Sequence, residues 1–196
     1  FGKAPEDIDI FALDFDGNDY VSINHNSALQ LSNAPFTIEF WAKPSLLNGN
    51  FRWVISKDFG NANLDYLVGI SASNEWRFIA RNLSIDISNP VPAVVNQWYH
   101  VACVFNGSIA TLYVNGIVVG TDNTVGSAQV NTANVLIGRR NAGGQYFVGD
   151  IDEMRIWDQA LTQNQIRDWM CKKLSSSHPA YSNLTAYYKF DEGSGT

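Results

Sequence analysis

Alternation of apolar and polar residues recurs along the chain in short runs, set roughly ten to twenty residues apart and closed by turn formers. Many short strands, each with one face to bury, fit a β-sandwich or a barrel. Strands are expected at Phe11–Phe15, Tyr20–Ile23, Phe36–Lys43, Arg52–Lys57, Tyr66–Ser71, Glu75–Ala80, Trp98–Phe105, Ala110–Val114, Ile117–Val119, Val135–Gly138 and Phe147–Trp157. Asn115-Gly116 stands between Leu112-Tyr113-Val114 and Ile117-Val118-Val119, and this pair tolerates the two positive φ angles of a type I′ turn. Asn106-Gly107 divides Val101–Phe105 from Ala110–Val114 in the same way, so Trp98 to Val119 is predicted to form a three-stranded antiparallel meander. Val101, Cys103 and Phe105 then share one face and put the meander at the centre of the core.

One segment has a helical period. Thr162 followed by Gln165 is a capping box, and Ile166, Trp169 and Met170 fall on one face at i, i+3 and i+4. A helix of about two to three turns, packed against the sandwich, is predicted there. Residues 172–183 read as a loop, and the run from Tyr187 to Gly193 reads as a further strand ending in a turn. Composition agrees: only 16% of residues are charged, and small polar residues that favour turns over helices fill the gap. At 196 residues the chain falls within the range of a single all-β domain.

The net charge of −6 argues against nucleic-acid binding, which needs a basic stripe to replace phosphate counterions. The densest basic groupings are Arg139-Arg140 and Lys172-Lys173, and both read as solvated surface. Anionic membrane surfaces are disfavoured for the same reason, and no apolar run is long enough to span a bilayer. The chain opens on Phe1 without a Met or a leader, as a processed protein or one domain of a longer protein would. Cys103 and Cys171 leave two readings open: a pair of buried thiols, or one disulfide tying the helix to the sandwich.

Four stretches carry a family resemblance. Phe11-Ala12-Leu13-Asp14-Phe15-Asp16-Gly17-Asn18-Asp19-Tyr20-Val21 resembles the first strand of laminin-G-like jelly rolls, and Phe36-Thr37-Ile38-Glu39-Phe40-Trp41-Ala42-Lys43-Pro44 resembles their next core strand. Trp98-Tyr99-His100-Val101-Ala102 is similar to the strand before their meander. Gly149-Asp150-Ile151-Asp152-Glu153-Met154-Arg155-Ile156-Trp157, followed by Ala160-Leu161-Thr162, is similar to their closing strand and helix start. The resemblance implies an all-β, two-sheet antiparallel jelly-roll sandwich of the concanavalin A-like type with one short helix. It spans residues 10–171, with a lead-in at 1–9. The tail from Tyr188 to Thr196 resembles the strand that normally precedes such a domain. Residues 172–196 therefore read as a loop plus either an edge strand or the start of a neighbouring module. Pentraxins, laminin-G modules, legume-type lectins and glucanases share this architecture, so the fold alone does not choose a function.

Calcium is the expected ion. Asp14 to Asp19 is oxygen-rich around a glycine, as a hard cation requires, although the spacing is not that of an EF-hand. In related jelly rolls a structural calcium joins the first strand to an aspartate of the closing strand. The resemblance therefore nominates Asp152, with Asp16 and Gly17 and also Asp19, the alternative being a polar turn and a surface acid. Asp150 and Asp152 are expected on one face of their strand and Glu153 on the other. Gln145 stands where pentraxins place a calcium-ligating glutamine, but the acidic residues they carry just upstream are missing, since Gly138–Gly144 reads Gly-Arg-Arg-Asn-Ala-Gly-Gly.

Catalysis has little support. Glucanases of this fold carry Glu-x-Asp-x-x-Glu on one strand, and no such stretch occurs here. His25, His100 and His178 have no Gly-x-Ser-x-Gly elbow to serve, and no cluster has zinc-ligand spacing. Sugar sites need aromatic faces together with amide and guanidinium groups. Trp53, Tyr66, Trp76, Arg77, Arg81 and Asn82 on the middle hairpins, with Arg139 and Tyr146 on a later loop, are the candidates, set against the tendency of sandwich aromatics to be core. The expected protein is a secreted or cell-surface, non-catalytic recognition module whose partner is a glycan, or alternatively a protein in an adhesion role.

Overall fold

The alternating runs pair into two antiparallel sheets laid face to face. The structure is a computed structural model, and it describes residues 11–191 except 31–33, 61–62, 81–82 and 124–130. One sheet has the order β1 (Leu13–Phe15), β12 (Gly149–Trp157), β3 (Phe36–Pro44), β8 (Tyr99–Phe105), β9 (Ala110–Val114), β10 (Ile117–Asp122), with β13 (Leu184–Tyr188) also paired to β12. The other runs β2 (Val21–Ile23), β11 (Val135–Ile137), β4 (Arg52–Asp58), β5 (Leu64–Ile70), β6 (Trp76–Ala80), β7 (Ile85–Ser88). This is the expected jelly-roll sandwich. The lead-in at residues 1–9 lies outside the described residues.

The core fills the space between the sheets. Ile38, Phe40 and Ala42 of β3 and Val101, Cys103 and Phe105 of β8 face Tyr66, Val68 and Ile70 of β5 and Trp76, Phe78 and Ala80 of β6. Each of these side chains is fully buried. Phe36 meets Phe78 edge-on at 6.2 Å across the gap, a geometry that suits the aromatic quadrupole.

The predicted meander is present, and Asn115 and Gly116 turn it at φ angles of 52° and 70°. It runs outward from the sheet interior, so β3 and β8 are central while β10 is an edge strand with an exposed face. The helix α1 (Gln163–Trp169) starts on the expected capping box. Its Ile166 joins Leu161, Ala102, Val104 and Trp157 in a second apolar cluster, on the outer face of the seven-stranded sheet. Cys103 points into the core, whereas Cys171 follows α1 on that outer side; both are free thiols, which overturns the disulfide reading. Among the described residues, no helix is long and apolar enough to cross a membrane.

β12 carries two strands on one edge. β3 pairs along one side, while β1 meets Gly149–Ile151 and β13 meets Met154–Trp157 on the other. A bulge falls between the two, where Glu153 adopts φ 50°. The extra residue changes the expected facing. Met154 enters the core, and the Glu153 carboxylate lies on the outer side with Arg155 and Tyr187.

Candidate ligand groove

The outer face of the six-stranded sheet bears a third apolar cluster of Trp53, Leu64, Leu67 and Ile79, with Phe51 packed on it. Leu67 and Ile79 are paired across β5 and β6 and alternate with the core-facing Tyr66 and Phe78. Gly69 lies opposite Trp53, and a Cβ there would stand 2.2 Å from the Arg52 carbonyl and 2.7 Å from the Trp53 Cα. A bare glycine thus lets the Trp53 backbone approach.

The segment after β11 builds the wall. Gly138, at φ 88°, receives a bond from Phe147 and donates to the Val54 carbonyl, which folds residues 138–147 back along β4. A Cβ on Gly138 would meet the Phe15 ring at 2.3 Å, so the turn requires glycine. The returning strand forms a parallel bridge between Trp53 and Tyr146. Trp53 Nε1 donates to Gln145 Oε1 at 2.8 Å, and Phe51 stacks on the Trp53 ring at 5.6 Å and 8°.

Arg139 and Tyr146 complete the rim. The Arg139 guanidinium lies over the Tyr20 ring at 4.6 Å and the Tyr146 ring at 4.9 Å, and donates to the Tyr146 hydroxyl at 3.0 Å. Tyr20 meets Tyr146 edge-on at 6.5 Å and is 46% exposed, so the cluster presents an aromatic face to solvent. Arg52 donates to the Tyr146 carbonyl at 2.9 Å and to Asn48 Oδ1 at 3.0 Å.

Three hollows lie along this face. One of about 240 Å³ lies over Trp53, Leu67, Ile79, Arg77, Arg140 and Gln145. One of about 440 Å³ is bounded by Asn50, Phe51, Arg52, Gln145 and Tyr146, and shares Phe51 and Gln145 with the first. A third, of about 410 Å³, lies beyond the Tyr20–Tyr146 contact and is lined by Tyr20, Ser22, Asn134, Arg139 and Asn141. No carboxylate lines any of the three among the described residues.

The groove gathers Arg77, Arg139 and Tyr146 from the expected set. Trp53 is there too, but at 2% exposure it is the floor beneath Phe51 and not a stacking surface. Tyr66 and Trp76 do not belong. Both are 0% exposed in the core, where Trp76 packs on Phe40 and Tyr99. Arg81 and Asn82 lie outside the described residues. Tyr20, Phe51, Arg52 and Gln145 also line these hollows and were not among the expected sugar-site residues. The aromatic-basic-aromatic order of Phe51-Arg52-Trp53 is the one local signal that could have drawn attention.

The calcium set is not assembled. β1 pairs Phe15 with Gly149 and Leu13 with Ile151, so Asp152 lies beyond the far end of β1 from the Asp16 turn. Four strand positions separate it from the level of Asp16, about 13 Å at the usual rise. The turn is closed on itself: Asp16 accepts from the Asn18 backbone and side chain at 3.0 and 3.1 Å, and Asp19 accepts from the Asp16 N–H at 3.1 Å around Gly17 at φ 99°. Among the described residues no three His, Cys, Asp or Glu side chains gather as a metal site would need. Asp16, Gly17, Asp19 and Asp152 therefore do not fit one calcium ion as a set.

Fold and geometry define a concanavalin A-like sandwich with hollows on the outer face of its six-stranded sheet. Residues 15–167 match the family described as the concanavalin A-like lectin/glucanases superfamily, and the chain belongs to it. Its sequence is 28% identical over 172 residues to adhesion G-protein coupled receptor V1 of Danio rerio, a match covering 80% of this chain and 3% of that protein. Among solved structures it resembles domain 4 of AbnA, a GH43 extracellular arabinanase of Geobacillus stearothermophilus, in complex with arabinotriose. That likeness has a TM-score of 0.62 at 20% identity, over 80% of this chain and 75% of that one. It also resembles the Ruminococcus gnavus IT-sialidase CBM40 bound to α2,3-sialyllactose, with a TM-score of 0.62 at 14% identity, over 81% of this chain and 95% of that one.

Proposed function

We propose that the chain is a non-catalytic, extracellular carbohydrate-binding module that takes its glycan in the groove over β4. The observation that carries this reading is the Tyr20–Arg139–Tyr146 cluster beside Phe51 and Gln145 on one sheet face. Aromatic rings offer flat faces for sugar C–H surfaces, and the guanidinium and amide groups beside them offer donors and acceptors for hydroxyls. Hydrolysis by a carboxylate pair needs two acids astride the bond, and the groove residues named above include none. The arabinotriose and sialyllactose bound by the two similar domains are in keeping with this reading.

A panel of soluble oligosaccharides, screened by thermal melt and then by calorimetry, tests it. At least one class is expected to raise the melting temperature, since a ligand that binds only the folded state stabilises it. Tyr146→Ala and Phe51→Ala are expected to abolish that shift. If no saccharide shifts the melt at high concentration, protein adhesion becomes the leading reading. That alternative draws on the exposed Val91, Val94 and Val95 between β7 and β8, at 66, 54 and 44% exposure.

A further inference from the structure

Four arginines border the groove, and what faces them divides them into two pairs. Arg77 donates to both carboxylate oxygens of Asp86 at 2.7 and 2.6 Å, and Arg140 donates to Asp58 at 2.8 Å. Those two charges are matched.

Arg52 and Arg139 meet no carboxylate among the described residues. Arg52 spends two of its five N–H donors, on the Tyr146 carbonyl and Asn48, and its Nε is buried without a partner. Burial also pulls its pKa down, as expected where no anion offsets the lost hydration. Arg139 spends three donors on neutral oxygens: the Arg140 and Asn141 carbonyls and the Tyr146 hydroxyl. The two arginines are anchored at opposite ends of Tyr146, one at its carbonyl and one at its hydroxyl.

A chain of net charge −6 has acids to spare for matching two half-buried cations. Among the described residues it gives neither of these one, and both line hollows on the same sheet face. We infer that this face selects acidic glycans, with carboxylates or sulfates of the sugar seated against Arg139 in one hollow and Arg52 in another, an inference that rests on the glycan reading above. The planar guanidinium fork matches such oxyanions with paired hydrogen bonds, which a lysine does not reproduce. The rings of Tyr20 and Tyr146 fix the plane of Arg139, so its remaining donors are held ready for the ligand.

Acidic residues also stand on the neighbouring turn. Gly17 lines the same hollow as Arg52, and Asp16 and Asp19 flank it, with their carboxylates engaged within the turn. They set a weak repulsion that an acidic ligand must meet, and that a mutation can remove.

Calorimetry on the 196-residue chain tests the inference with sialyllactose and an oligogalacturonate as carboxylate probes, and a heparin oligosaccharide as the sulfate probe. Lactose and arabinotriose serve as neutral controls, and poly-glutamate as a non-sugar anion. At least one acidic class is expected to bind about tenfold or more tightly than the neutral sugars, with an affinity that falls as salt rises. Arg139→Gln and Arg52→Gln are expected to erase that preference, Arg139→Lys to retain part of it, and Asp16→Asn to strengthen binding. Lys189→Gln, at an exposed charge just after β13 on the other sheet, is expected to leave the preference in place. Melts of each variant identify any that fail to fold, and in that event Asp16→Asn and the salt dependence still decide. Equal binding of neutral and acidic sugars, unmoved by the arginine variants, overturns the charge inference and leaves the glycan reading standing. Equally tight binding of poly-glutamate makes an acidic polypeptide the partner and also overturns it. Binding of no saccharide at all overturns both readings together.

Discussion

Arg155 is 2% exposed and ties three parts of the chain together. Its guanidinium meets Glu39 on β3 at 3.5 Å, Glu153 on its own strand, and the carbonyls of Trp169 and Lys172 at 3.3 and 3.0 Å. Arg155→Ala would strand two buried carboxylates and is expected to cost roughly 3–5 kcal/mol in urea unfolding. Burial alone would raise the Glu39 carboxyl, but a hydrogen bond from His100, the charges of Arg155 and His100, and the Trp157 N–H together hold it below its ordinary value. Its contribution to stability is therefore complete above the ordinary carboxylate range and lost as pH falls through the lowered folded-state value. Asp152 has the opposite sign. Burial first, then the charges of Glu153 and Asp191, push it from 3.8 up to about 7. The folded state holds that proton more tightly than the unfolded chain, so stability declines as pH rises from near 3.8 to about 7. In calcium-free buffer, Asp152→Asn is expected to stabilise on the order of 2 kcal/mol above about pH 7, an advantage that shrinks steadily as pH is lowered toward 4. Thermal melts across that range check it, and a destabilised Asn variant at high pH would refute it. Neither role was legible in the sequence. The bulge at Glu153 shifts every facing beyond it, and the register shifts in β4 on either side of Ile55 defeat the same arithmetic around Trp53. Tyr66 and Trp76 were candidates because they stand on the middle hairpins, and the regular alternation of β5 and β6 turns both into the core.

Elements with local chemistry were the readable ones. Asn115-Gly116 marked its turn because both residues must accept positive φ, and they do. The turn is also clamped. Asn115 Oδ1 accepts from the His100 N–H at 2.9 Å, and the Gly116 carbonyl accepts from Gln163 and Arg167 of α1 at 2.9 and 2.8 Å. Asn115→Gly keeps the backbone freedom and loses the side-chain bond, which costs about 0.5–1.5 kcal/mol. Asn115→Ala adds the strain of a left-handed alanine, for a total of about 2–3 kcal/mol. Chemical denaturation of the two variants separates the terms, and equal losses would mean that the turn conformation contributes nothing. The capping box of α1 was legible on the same grounds, because its pattern is written in Thr162 and Gln165 alone. β7 was missed. Its four residues Ile85–Ser88 alternate correctly, but they run straight into Asn89-Pro90-Val91-Pro92 and are short enough to read as part of that loop.

At the scale of the molecule, what brings the groove together is long-range pairing. Trp53 bonds Gln145 across 92 residues and Arg52 bonds Tyr146 across 94, so the sequence displays the groups but not their neighbourhood. The two-sheet class followed from strand spacing and family resemblance. The order within each sheet did not, because β12 takes partners from both the start and the end of the described chain. That arrangement gives the C-terminal segment a measurable role. Residues of β13 satisfy the free edge of Met154–Trp157, and Tyr187 donates to Glu153 beside the buried Arg155. A chain ending at Asn183 would expose that edge next to the ring stack of Trp157 and His178, which lies at 4.6 Å. An unpaired edge strand beside apolar surface is a template for self-association. The truncated chain is expected to melt earlier and to give dimers or larger species in size-exclusion chromatography. Tyr187→Phe in the untruncated 196-residue chain removes one hydrogen bond to a charged group, leaves the strand in place, and should cost about 1–3 kcal/mol while the chromatographic profile stays unchanged. If the truncation matched Tyr187→Phe in both readouts, the side chain alone would account for the segment's contribution. A larger loss with new oligomers would assign that contribution to the backbone ladder.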